Sequence, residues 1–182
     1  MKSASQGQAE TSDIRFDDEA IAEYERIIAR YPQRRAALLP VLWLAQREFG
    51  WISESVQAYV ARLMALPVGW VEGVVTFYTM YYRRPMGEHH LQLCTNLSCR
   101  LRGADQVLSA LRRRLDIEPG ETSRDGKFSL DCVECLGSCG TAPVLQLGSG
   151  SFVENLDVEK TLSLVDDLAA GKGANGRGGG AS

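Results

Sequence analysis

Four of the five cysteines fall in two pairs, Cys94-x4-Cys99 and Cys135-x3-Cys139. Each pair begins where an apolar alternation ends, and each encloses loop-type residues, TNLS and LGS, that can curl around an ion. Thiolate is a soft ligand that suits iron–sulfur clusters and zinc. A 2Fe–2S cluster takes four thiolates, two on each iron, which two loop pairs can supply. A lone structural zinc ion also takes four ligands, but its sites commonly use the tighter C-x2-C spacing. The wider loops here leave backbone N–H groups free to point at bridging sulfides. On spacing alone a 2Fe–2S cluster comes first, zinc second and a set of unligated thiols third.

The fifth cysteine, Cys132, is in phase with Phe128 and Leu130, so the alternation predicts a small buried hydrophobe. The sharper reading pairs it with Cys135 as a C-x-x-C redox motif. Such motifs gain reactivity at a helix N-terminus, and the following Gly137 and Gly140 argue against a helix there. Those glycines let backbone pass close to a cluster, or serve an ordinary turn. Pro143, after the second pair and before a strand, is a candidate cis proline. His89 and His90 are strand neighbours that point to opposite faces, poorly placed to ligate one ion together.

Regular elements must carry both pairs. Leu91 and Leu93 alternate with polar residues and run into Cys94 as a strand. A helix is predicted over 101–115, on Leu101, Val107, Leu108, Leu111 and Leu115. Phe128, Leu130 and Cys132 mark a second strand, and Val144 to Leu147 a third. The turn Gly148-Ser149-Gly150 leads back through Phe152 and Val153 as a hairpin. Asp157 is placed to cap a last helix carrying Val158, Leu162, Val165 and Leu168. The order strand–helix–strand–strand–helix predicts a small mixed sheet, with one helix on each face or both on one. That order is compatible with a thioredoxin-like fold.

Upstream, from Asp17 to about Tyr82, the period is helical. Ile21, Tyr24, Ile28 and Tyr31 follow the acidic pair Asp17 and Asp18, and Pro32 ends that helix. Leu38, Leu39, Val41, Leu42 and Ala45 mark a second helix, stiffened or kinked near Pro40 and ended by Gly50. Ser53 is placed to cap a third, with Val56, Val60, Leu63 and Met64 on one face. Pro67 fits the first turn of a fourth, carrying Trp70, Val71, Val74 and Val75. The fold class is therefore α+β. A polar tail (1–15) precedes a four-helix domain (16–86), a mixed-sheet domain (87–170) and a glycine-rich tail (171–182).

Composition narrows the function classes. The chain has 182 residues, 45% hydrophobic and 24% charged, enough for a real core. Its net charge of −3 gives no cationic field of the kind that drives nucleic-acid binding. Gly50 between two short helices imitates a helix-turn-helix, but Arg34-Arg35 is the only basic cluster from Asp17 to Tyr82, so no nucleic-acid partner is expected. No run approaches the roughly 18–20 apolar residues needed to span a bilayer, so no direct membrane insertion is expected. MKSASQGQAETSD carries no apolar core of a secretory signal, so a cytoplasmic chain with reduced thiols is expected.

VECLGSCGTAPVLQL, Cys94-TNLS-Cys99 and VVTFYTMY together make the chain recognisable. It resembles the 24 kDa-type subunit of NADH:quinone oxidoreductase (respiratory complex I), with close relatives in NAD-reducing hydrogenases and NAD-dependent formate dehydrogenases. The resemblance runs from about residue 16 to 170, through LLPVLWLAQREFGWIS and the closing FVENLDVEKTLSLV. It implies an N-terminal helical domain and a thioredoxin-like domain binding one 2Fe–2S cluster. Cys94, Cys99, Cys135 and Cys139 match the family's ligand positions, and Cys132 matches none. No catalytic residue of the chain's own is implied. The implied partners are a subunit that binds FMN and NADH and the other iron–sulfur subunits of the NADH module. The implied place is the cytoplasmic face of the inner membrane, held there through the complex.

The residues agree with that division of labour. No G-x-G-x-x-G follows a strand and there is no P-loop, so the chain alone is expected to bind neither nucleotide. NADH gives up two electrons as hydride, whereas a 2Fe–2S cluster carries one, so a flavin elsewhere must split the pair. All-cysteine ligation favours a low potential, near roughly −400 mV as in plant-type ferredoxins. The rival class is a thioredoxin-like protein doing thiol–disulfide exchange, or holding zinc structurally. Of the aromatics Trp43, Trp51, Trp70, Phe77, Tyr78, Tyr81 and Tyr82, most are expected in the core and some as interface anchors that dock the flavin subunit. Arg100, Arg102 and Arg112 to Arg114 read as a solvated helix face, or as a positive collar near an anionic cluster.

Overall fold

The computed structural model describes residues 14–148 and 150–172, so the expected tails lie outside it except at Ile14, Arg15, Gly171 and Lys172, as does Ser149 of the expected hairpin turn. The chain divides into two compact units, Met1–Pro85 and Met86–Ser182.

The first unit is helical. Helix α1 (Asp18–Ala29) starts where the Asp17 carboxylate accepts the Ala20 N–H, and it stops at Ala29, short of Pro32. A 3-10 turn (Arg34–Ala37) leads into α2 (Leu38–Phe49). Pro40 falls in the first turn of α2, where its missing N–H costs no helical bond. Gly50 (φ +79) closes the helix, its N–H donating to Gln46 O at 2.8 Å. Helix α3 (Glu54–Met64) is capped by Ser53, which accepts the Val56 N–H. Helix α4 (Val68–Phe77) begins one residue after Pro67.

Val41, Leu42, Ala45, Ile52, Val60 and Val71 are fully buried between these helices, and Ile14 packs against the same core. Gln46 is buried with its amide satisfied: it donates to Met80 O at 3.0 Å and accepts the Tyr82 N–H at 2.6 Å. The expectation that most of the aromatics are core does not hold. Tyr81 is buried, but Trp43, Trp70, Phe77 and Tyr78 are exposed, because α2 turns Leu42, Leu44 and Ala45 inward in place of Trp43, and α4 buries only Val71 and Val75.

The second unit is a five-stranded mixed sheet in the order β2-β3-β1-β4-β5. Its strands are β1 (His89–Cys94), β2 (Glu121–Thr122), β3 (Phe128–Val133), β4 (Leu145–Leu147) and β5 (Phe152–Val153). Strands β1 and β3 are parallel, and the other pairs are antiparallel. Register aligns Leu91 with Leu130 and Leu147, and Leu93 with Leu145. Since alternate residues share a face, these leucines form one apolar face.

Helices α6 (Ala104–Leu115) and α7 (Val158–Ala169) both cover that face, adding Val107, Leu111, Val165 and Leu168 to its core. His90, Gln92, Ser129, Asp131 and Gln146 lie on the other face. The helix expected over 101–115 is α6, which starts at Ala104; Leu101 instead ends a separate short helix that the pattern did not signal. A short α5 (Leu97–Leu101) is separated from α6 by Gly103, whose φ of +103 is a backbone conformation glycine tolerates. Strand β2 is an addition that its two polar residues did not signal.

Candidate metal centre

Strand β1 delivers Cys94 at its C-terminal end, 3% exposed, with its N–H donating to Val144 O at 3.0 Å. The next residues do not form the expected open loop. Asn96 accepts the Leu97 N–H with its side chain and starts α5, which carries Cys99 inward to 2% exposure. Arg102, just past α5, donates from Nε to Ala142 O at 2.8 Å and so ties the first cysteine segment to the second.

Cys135 and Cys139 follow β3 and are exposed. Gly137 (φ +76) turns the chain back so that its N–H points at Cys135 Sγ, 3.3 Å away. Gly140 needs no such conformation and lies in a 3-10 turn (Cys139–Thr141). The Ala142–Pro143 peptide that follows is cis, as expected ahead of β4.

The four sulfurs belong to one electrostatic group. Burial pushes the Cys94 thiol up, but N–H donors from Asn96 and Leu136 and the thiols of Cys99 and Cys135 outweigh it, leaving Cys94 below its ordinary value. Burial pushes the Cys99 thiol up, Cys94 adds to the effect and Cys139 contributes, while the Val144 N–H opposes it. The set therefore offers one thiol inclined to ionise and ready N–H donors around it. Among the described residues no three His, Cys, Asp or Glu side chains are grouped closely enough to hold one metal ion. A 2Fe–2S cluster does not require that, since each iron takes only two of four thiolates. Two thiol pairs with N–H donors beside them match the four thiolates such a cluster takes.

Cys132 is a correction. It is exposed, not buried. Strand β2 pairs with β3 only at Ser129 and Leu130, so β3 is an open edge at Cys132. Desolvation first, and the Asp131 carboxylate next, hold its thiol above the ordinary value, the opposite of what an attacking redox cysteine needs. The histidines point apart as expected. His90 is buried with Nε2 2.6 Å from Asp131 Oδ2, while the His89 ring lies 5.4 Å from that of Phe128.

Of the arginines, Arg112 pairs with Glu118, and Arg114 with Asp166 at 2.6 Å, so both belong to a solvated helix face. Arg100 and Arg102 alone border the thiols in sequence, and Arg100 stands 3.7 Å from Asp105. Sequence reasoning missed the backbone donors at Leu136 and Val144, which any residue type supplies. It also missed Glu154, whose carboxylate accepts hydroxyls from Ser138 and Thr141 on either side of Cys139.

The parallel β1–β3 pair and the helices on one face of the sheet, with four thiols gathered at one end, define a thioredoxin-like domain. Residues 24–169 match the family model of the thioredoxin-like [2Fe-2S] ferredoxins. The chain is 43% identical over 148 residues to an NADH-quinone oxidoreductase subunit of Rhizobium meliloti, covering 81% of this chain and 88% of that protein. It is 42% identical over 159 residues to NADH-quinone oxidoreductase subunit 2 of Thermus thermophilus, covering 86% and 88%. Among solved structures it resembles a NAD+-reducing [NiFe]-hydrogenase in the air-oxidized state, with TM-score 0.65 and 19% identity. That match covers 74% of this chain and 23% of the hydrogenase chain, and it is a likeness of fold. The chain belongs to the thioredoxin-like [2Fe-2S] ferredoxin family.

Proposed function

We propose that this chain is the electron-transfer subunit of an NADH:quinone oxidoreductase, and that Cys94, Cys99, Cys135 and Cys139 hold its one 2Fe–2S cluster. The observation that carries the reading is the gathering of two thiol pairs, one buried and one exposed, at the end of a parallel strand pair. Identities of 43% and 42% to NADH-quinone oxidoreductase subunits support the quinone-linked enzyme over a hydrogenase or formate dehydrogenase. When bound, a 2Fe–2S cluster takes and returns one electron at a time.

The chain's own residues supply the setting. Cys94 and Cys99 anchor the inner side, where solvent is excluded. The exposed Cys135 and Cys139 leave a side open to a partner. N–H groups of Asn96, Leu136, Gly137 and Val144 offset the charge of four thiolates. FMN and NADH belong to the partner subunit, beside the other iron–sulfur subunits of the NADH module. Residues 16–86 serve as a helical docking domain, with exposed Trp70 and Phe77 as anchors, and residues 87–170 as the cluster domain. No helix among the described residues is long and apolar enough to cross a membrane. Attachment at the cytoplasmic face of the inner membrane then runs through the complex.

The test is elemental. Anaerobically matured protein should contain two irons and two acid-labile sulfides per chain and co-purify with a flavin-binding subunit. Iron-free protein would sink the cluster, and co-purification with hydrogenase subunits would sink the quinone-linked assignment.

A further inference from the structure

Cys139 has little to hold it. Its three-residue turn contains no buried residue, and the cysteine itself is exposed. A ligand must nevertheless stand in a defined place for a metal site to assemble. Ser138 just before it and Thr141 two residues after it both direct their hydroxyls at one carboxylate, that of Glu154. The Thr141 Oγ1 to Glu154 Oε1 distance is 2.6 Å, and the two hydroxyl oxygens lie 2.7 Å apart.

Glu154 is itself well placed to act as a fixed point. It follows β5, and the Asn155 N–H donates to Thr141 O at 2.7 Å, so two successive residues grip the turn. The Leu156 N–H then donates to Pro143 O at 3.1 Å, and the Leu156 side chain is buried in the sheet core. Asp157 caps α7 directly afterwards. The turn is thus tied through Glu154 and Asn155 to the core of the domain. The Ser138 and Thr141 hydroxyls, in that order, hold the Glu154 carboxyl below the ordinary carboxylate range. An ionised carboxylate accepts only, and hydrogen bonds to it are stronger than neutral ones.

We propose that Glu154 is a positioning residue for Cys139: by accepting the hydroxyls on both sides of that cysteine, its carboxylate sets the second ligand loop before and while metal is bound. The proposal rests on the reading of Cys139 as a cluster ligand. Glu154 touches no sulfur; it acts through Ser138 and Thr141.

The experiment compares the full-length wild type with Glu154→Ala, Glu154→Gln and the double variant Ser138→Ala/Thr141→Val. In the metal-free chain, Glu154→Ala should speed amide exchange over residues 135–143 alone, and Glu154→Gln, which keeps an acceptor oxygen but not the charge, should restore part of the slow exchange. In the loaded chain, Glu154→Ala should release iron to a chelator about tenfold faster, the equivalent of one charge-assisted hydrogen bond. Its reduced-state EPR signal should broaden, and Glu154→Gln should recover part of both properties. The double variant should match Glu154→Ala, and combining the two should add nothing.

Wild-type behaviour of Glu154→Ala in both arms overturns the proposal. So does additivity of the combined variants, failure of Glu154→Gln to rescue, or faster exchange spread through β1 and α7, which would mean a general loss of fold. A wild-type chain that takes up no iron would instead overturn the reading of Cys139 as a ligand, while the metal-free arm still tests the latch.

Discussion

At the scale of single residues, the five cysteines do three different things. Cys94 and Cys99 are buried, Cys135 and Cys139 are exposed beside them, and Cys132 stands on an open strand edge. Replacement should therefore separate them. Cys94→Ala and Cys135→Ala are expected to abolish the visible absorbance and iron content of purified protein, because each removes one proposed ligand of the cluster and leaves no donor in its place. Cys132→Ser is expected to leave both unchanged. Loss of iron in Cys132→Ser would mean that the ligand set is wrong.

At the scale of elements, each unit offers one contact whose contribution can be read. Leu111 on α6 is fully buried against the apolar face of the sheet. Leu111→Ala should cost about 2–5 kcal/mol, the usual loss for a buried leucine, read as a lower urea midpoint. In the helical unit, Arg47 on α2 reaches Glu23 on α1, with Nη2 2.7 Å from Oε2. The hydrogen bond from Arg47 lowers the Glu23 carboxyl from its ordinary value. A carboxyl depressed in the folded state contributes stability above its unfolded value, about 4.3, and loses it as pH falls through the folded value. Arg47→Met should then be less stable than wild type at neutral pH and indistinguishable from it at strongly acid pH. The pair is exposed, so the difference is small and shrinks with added salt. Urea titrations at both pH values check the sign.

At the scale of the whole molecule, each unit has its own core: Val41, Leu42 and Val60 among the helices, Leu91, Leu130 and Leu145 under the sheet. All four proposed ligands lie in the second unit. Bound metal stabilises only the state that binds it, so removing iron and sulfide should raise amide exchange around Cys94–Cys99 and Cys135–Pro143. Protection of the helical core, which rests on its own apolar contacts, should persist. Exchange that rises equally in residues 14–85 would argue against this division of the chain.

Sequence alone determined the ligand candidates, the helical period before Tyr82, the alternation into Cys94, the caps at Ser53 and Asp157, and the family. These are local signals: spacing, period and side-chain chemistry are written along the chain. The tertiary structure decided what depends on distant neighbours. Both helices went to one face of the sheet because Leu91, Leu93, Leu130 and Leu145 came into register there. Cys132 was left exposed because β2 is too short to cover it. Trp43, Trp70 and Phe77 were left outside because α2 and α4 turn other residues inward. The grip of Glu154 on the turn around Cys139 spans more than a dozen residues, and no periodicity announces it. Patterning tells a residue which side of its own element it occupies; only packing tells it what stands opposite.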